Sequence, residues 1–118
     1  MRLQTLALAL AVIVGLLGGL HLALTPLAYA EWTIEALWFV GTGLAIVVAG
    51  TANFVGFRSW GLGGQRILTA INIAMGCYFA AAWLVLPGPQ IIFGVMLFAG
   101  LATCSLIAAR SKGISNPS

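Results

Sequence analysis

Apolar residues fill four long stretches of this chain, at 3–24, 33–55, 67–86 and 90–109, and polar residues gather in the short segments between them. Each stretch is close to the roughly 20 residues that a helix needs to cross a hydrocarbon core about 30 Å thick. The pattern predicts an all-α, integral membrane four-helix bundle in one domain, 1–118, with a short polar C-terminal tail at 110–118. The spans and their turns take up residues 1–118, so no soluble domain is expected among them.

The breaks between the stretches carry their own chemistry. Thr25-Pro26 is expected to end the first span, because proline lacks the N–H that continues the ladder and suits the first turn of a new helix, which Thr25 would cap. GFRSWGLGGQR, residues 56–66, holds four glycines and two arginines and reads as a flexible inner loop. Pro87-Gly88-Pro89 makes a tight turn, and RSKGISNPS reads as a loose tail. Ala28-Tyr29-Ala30 has the small-x-small form of a signal-peptide cleavage site, but the apolar run before it outlasts the roughly 7–15 residues of a signal core. The first span is therefore read as a retained helix.

Composition confirms the solvent. Hydrophobic residues make up 62% of the chain and charged residues 6%, against roughly 25% charged in soluble domains. A soluble fold of this size has too few polar groups here to cover its surface. The five basic residues, Arg2, Arg58, Arg66, Arg110 and Lys112, all flank one side of the predicted spans. In a membrane protein that bias sets orientation: both termini and the 56–66 loop are expected in the cytoplasm, across a membrane of the bacterial inner type. It is not read as a nucleic-acid surface. Arg58 and Arg66 are instead expected to meet anionic lipid headgroups. Tyr29, Trp32 and Trp83 fall near the outer boundary and Trp60 near the inner one, as interfacial anchors do.

Small and polar side chains show which faces meet, since they collect where membrane helices touch. At about 100° per residue, the second span presents Glu31, Glu35, Trp38, Thr42, Ala45, Ala49 and Asn53 to the bundle. The third presents Thr69, Asn72, Gly76, Ala80 and Trp83. The first offers Ala7, Ala11, Gly18 and His21, with Gly15 and Gly19 beside them, and the fourth Gly100, Cys104 and Ala108.

Candidate chemistry concentrates in 21–35, which holds the only histidine and both carboxylates, Glu31 and Glu35. Counted from the predicted helix ends, His21 and Glu35 lie at one depth and form the candidate ligand or proton site. Glu31 is expected in the solvated connection. Thr42, Asn53 and Asn72 are secondary polar candidates, and the two asparagines are expected to hydrogen-bond to each other or to backbone. Cys77 and Cys104 are expected as buried thiols at different depths, not as a disulfide. One histidine and two glutamates are a thin donor set for zinc or copper, so no metal or cofactor is predicted. A haem with two axial histidines would need His21 from two copies. The chain has no aspartate for a Ser-His-Asp set, and Gly61-Leu62-Gly63-Gly64 lacks the strand and spacing of a phosphate-binding turn.

The leading functional expectation is a non-enzymatic membrane component, an accessory subunit or binding module that packs against other membrane proteins or its own copies. A proton-coupled carrier using His21 and Glu35 stands second. A lipid-, quinone- or haem-associated enzyme or redox subunit stands third.

Overall fold

The computed structural model describes residues 2–115 as four helices: α1 Leu3–Ala28, α2 Ile34–Ser59, α3 Leu62–Ala82 and α4 Pro89–Ser115. They run up and down in a bundle 55 × 26 × 25 Å. Helices α1, α2 and α4 are each long and apolar enough to cross a membrane, so the chain is an integral membrane protein. Helix α3 is the least apolar. Its first turns carry Gly63, Gly64, Gln65 and Arg66, and its apolar run continues past the helix end through Trp83 to Leu86.

The helices overrun four of their predicted ends by four residues or more. Pro26 lies inside α1, which continues to Ala28. Only the bond that residue 26 would give to Leu22 is lost, and the Thr25 hydroxyl turns back to the His21 carbonyl at 3.3 Å. Membrane helices accommodate proline through such side-chain bonds. Thr33, not Thr25, caps the next helix, accepting from the Ala36 N–H at 3.2 Å. The expected flexible loop at 56–66 shrinks to Trp60 and Gly61, with helix on both sides. A Cβ on Gly56 or Gly64 would lie 2.9 Å or 2.5 Å from Trp60 side-chain atoms, so these glycines make room for an indole where the sequence suggested a hinge. The predicted loose tail is helical to Ser115, and 116–118 lie outside the described residues.

Two hairpins build the bundle. Helix α1 packs closely along α2, and α3 along α4, while the contacts between the pairs are sparser. Within the first hairpin, glycine allows backbone to touch backbone: a Cβ on Gly50 would stand 2.7 Å from the Gly15 nitrogen, and one on Gly18 2.7 Å from the Val47 nitrogen. In the second, the Phe79 and Phe98 rings stack at 5.7 Å, and Phe79 lies over Gly94, where a Cβ would be 2.4 Å from the ring. The core follows: Ala7, Ala11, Val14, Ile46, Phe98 and Leu101 are buried.

Between the hairpins, polar ties supplement thin packing. On the α2–α3 seam the Thr42 hydroxyl meets the Tyr78 hydroxyl at 2.9 Å. Deeper, Asn53 and Asn72 exchange amide bonds of 2.7 and 2.8 Å, and Asn53 also donates to the Ala49 carbonyl at 2.8 Å. At the basic end Gln65 donates to the Gly56 carbonyl at 3.0 Å. The last carbonyls of a helix have no partner in their own ladder. Here the Trp60 N–H still closes on the Gly56 carbonyl at 3.0 Å, and the other three helices each add a side chain at the end of α2: Gln65 to Gly56, Gln4 to Phe57 and Lys112 to Trp60. Thr69 donates to Ser105 across α3 and α4 at 2.9 Å.

The inward face of α2 keeps Ala49 and Asn53 of the expected stripe and departs from it toward the start of the helix. Its buried residues include Ala36, Gly43, Ile46, Gly50, Asn53 and Phe57, while Glu35, Trp38 and Ala45 face outward. The steps of three and four residues form a heptad seam, which drifts about 20° per heptad from a straight 3.6-residue helix. From Asn53 back to the start of α2 that drift moves Glu35 off the seam and Ala36 onto it. On α3 the buried residues are Gln65, Leu68, Asn72 and Phe79, and Trp83 is exposed. Cys77, expected in the interior, is exposed, whereas Cys104 is buried; both are free.

Candidate functional site

The end of the bundle opposite the basic residues is formed by the last turn of α1, the connection 29–33 and the first turn of α2. The expected pairing of His21 with Glu35 is not formed. Glu35 is the second residue of α2 and faces outward, exposed in the first turn. A carboxylate in the first turn suits the positive end of the helix dipole. His21 instead lies flat on Phe39, ring centroids 3.7 Å apart and planes 18° apart. Its Nε2 is buried without a hydrogen-bond partner.

The separation follows from the end of α1. With that helix running to Ala28, His21 sits seven residues from its end (28 − 21), about 10 Å deep at 1.5 Å per residue. Glu35 is one residue from the start of α2. The stretch of α2 beside His21 is therefore Phe39 to Gly43, one to two turns deeper than Glu35: the ring stacks on Phe39, and a Cβ on Gly43 would stand 3.2 Å from the His21 Cδ2. Because the stack covers the chain's single histidine, Phe39→Ala is expected to raise the rate at which diethylpyrocarbonate modifies His21 severalfold, read at 240 nm. An unchanged rate would mean that the ring is not shielded by Phe39.

Phe39 also braces Tyr29, with centroids 5.4 Å apart and planes tilted by 60°. Above this aromatic layer opens a cleft of about 300 Å³ lined by Thr25, Pro26, Tyr29, Glu31, Trp32 and Ala36. Sequence reasoning had assigned Glu31 to solvent and Tyr29 and Trp32 to anchoring. Their spacing, an aromatic residue on either side of a carboxylate within four positions, was the available signal.

A second cavity, about 370 Å³, is a groove along α3 and α4 lined by Asn72, Gly76, Cys77, Ala80, Phe98 and Ala102 among others. Of the secondary candidates, Thr42 is tied to Tyr78 and to the Trp38 carbonyl, and the Asn53–Asn72 pair is buried. Arg58 and Arg66 are exposed at the basic end, and the Arg58 guanidinium lies 5.4 Å from the centre of the Phe54 ring. Among the described residues, no group of three His, Cys, Asp or Glu side chains converges as a metal site would require. Compared with known protein families, curated proteins and solved structures, the chain matches none.

Proposed function

We propose that this protein is a non-enzymatic component of a membrane assembly, packing against its own copies or another membrane protein. The observation that carries the reading is the use of its interior polar groups. Asn53, Asn72, Gln65, Thr69 and Ser105 are bonded to other helices of the same chain. Such bonds lock helices together, and in membranes each contributes about 0.6–2 kcal/mol. The groove on α3 and α4 gives an assembly somewhere to form, because Gly76, Ala80 and Ala102 allow a further helix to approach closely. The carrier reading has lost the His21–Glu35 contact on which it rested.

In the same proposal the end bearing Arg2, Arg58, Arg66, Arg110 and Lys112 faces the cytoplasm, following the positive-inside rule. Arg58 and Arg66 there meet anionic headgroups. The test is the state of the protein in mild extracts of its native membrane. It should migrate as an assembly heavier than the 12.3 kDa chain, and a bis-maleimide should link the exposed Cys77 thiol to a neighbouring chain. A single copy with no cross-link would overturn the assembly reading. A C-terminal fluorescent-protein fusion that stays dark would overturn the orientation.

A further inference from the structure

The geometry points to a binding site for an organic ammonium cation in the cleft between the end of α1 and the start of α2. This goes beyond the assembly reading and does not depend on it. Three independent observations converge on that ligand.

The first is charge. Both carboxylates of the chain stand at this end, and all five Lys and Arg residues belong to the other. Glu35 is exposed in the first turn of α2 and is not part of the cleft wall, whereas Glu31 lines the cleft. No lysine or arginine is placed to neutralise it.

The second is the wall of the cleft. Tyr29 and Trp32 flank Glu31, and Tyr29 is held by Phe39, itself stacked on His21. Trp32 is 70% exposed, an indole left open in a segment where much of its neighbourhood is apolar. Aromatic faces attract cations through the ring quadrupole, and indole does so best. A carboxylate lining the same cleft as two such rings suits a bulky, weakly hydrated ammonium group. A hard metal ion would need several convergent oxygen ligands, and the cleft offers one carboxylate.

The third is the surface beside it. Leu27 and Ile34, immediately flanking the cleft in sequence, are 83% and 70% exposed, and both are on membrane-crossing helices. A ligand with its head in the cleft can lay an apolar tail over them. The chemical class is therefore an amphiphile with an ammonium head, whether a choline-type lipid headgroup or a free amphiphilic cation.

The experiment uses the full chain in nanodiscs of phosphatidylglycerol, which lacks an ammonium group, with its tryptophans labelled by fluorine. Trp32→Phe assigns the Trp32 resonance. Dodecyltrimethylammonium should shift that resonance saturably, leaving the Trp60 resonance at the opposite end unmoved. Neutral dodecyl maltoside should not shift it. Glu31→Gln should weaken the response by about tenfold, the scale of losing one charge partner in a partly wet site, while Glu35→Gln leaves it intact. Nanodiscs containing phosphatidylcholine separate the two sources: a resonance already shifted there, and insensitive to added cation, identifies the lipid headgroup. A resonance that still responds identifies a free amphiphile. No saturable shift with either probe, or an equal shift in Glu31→Gln, would overturn the site.

Discussion

Gly50→Val is expected to pry α1 away from α2 and to destabilise the bundle by about 3 kcal/mol, the upper range for forcing extra volume into a packed interior. The reason is what the new side chain meets. Its Cβ would fall 2.7 Å from the Gly15 nitrogen, 2.9 Å from the Gly15 Cα and 3.1 Å from the Ala11 carbonyl oxygen. All three are backbone atoms, which cannot turn aside as the end of a flexible side chain can. Relief requires the helices to separate, and with separation goes the burial of Ala11, Val14 and Ile46 along the same seam. Gly18→Val should behave alike, since its Cβ would meet the Val47 nitrogen at 2.7 Å. Gly19 supplies the control. Nothing lies within 4 Å of a Cβ there, so Gly19→Ala should be neutral or stabilise by up to about 1 kcal/mol through helix propensity. Reversible sodium dodecyl sulfate titration in mixed micelles, followed by tryptophan fluorescence, measures all three. If Gly50→Val unfolds at the same denaturant fraction as Gly19→Ala, the close seam does not hold the hairpin together.

The same glycines show which parts of the fold were legible in the sequence. Four helices were readable because span length is set by the thickness of the bilayer, and apolar runs of that length have few alternatives. The seam on α1 was readable in Ala7, Ala11 and Gly18, since small residues gather at helix contacts. Helix ends were not. Pro26 looked like a stop, yet near the end of α1 it removes one ladder bond, and the helix closes two residues later. Gly56 and Gly64 looked like slack, yet they hold the Trp60 indole between two helices. These errors are local, but the first had a distant consequence. Moving the end of α1 outward by four residues lowered His21 by about 6 Å and carried it from Glu35 to Phe39. The cleft was missed for a related reason: Tyr29, Glu31 and Trp32 are unremarkable one at a time, and only the fold of the connection places them on one wall.

The asparagine pair is a second place where a single change is expected to weaken the bundle. Asn53 and Asn72 are fully buried and bonded to each other in both directions, on the thinly packed seam between the hairpins. Asn53→Leu removes one partner and leaves the Asn72 amide without its mate, so the expected loss is about 1–3 kcal/mol, the desolvation cost of an orphaned polar group. Asn72→Leu should cost more than the reciprocal change in one respect and less in another. It strands only part of Asn53, because that amide keeps its bond to the Ala49 carbonyl, but it also puts a branched side chain beside the α3–α4 groove. The double variant decides what the pair does. With both amides gone no polar group is stranded, and the two changes should cost clearly less together than the sum of the singles, leaving a net deficit of about 0.6–2 kcal/mol for the lost bonds. The same detergent titration yields the cycle. Additive losses would mean that the two side chains act independently, and a double variant as stable as the native chain would mean that the hairpins are held by packing alone. The sub-additive outcome assigns the pair the role its geometry suggests, a polar latch that sets the register of two hairpins which apolar contact alone holds loosely.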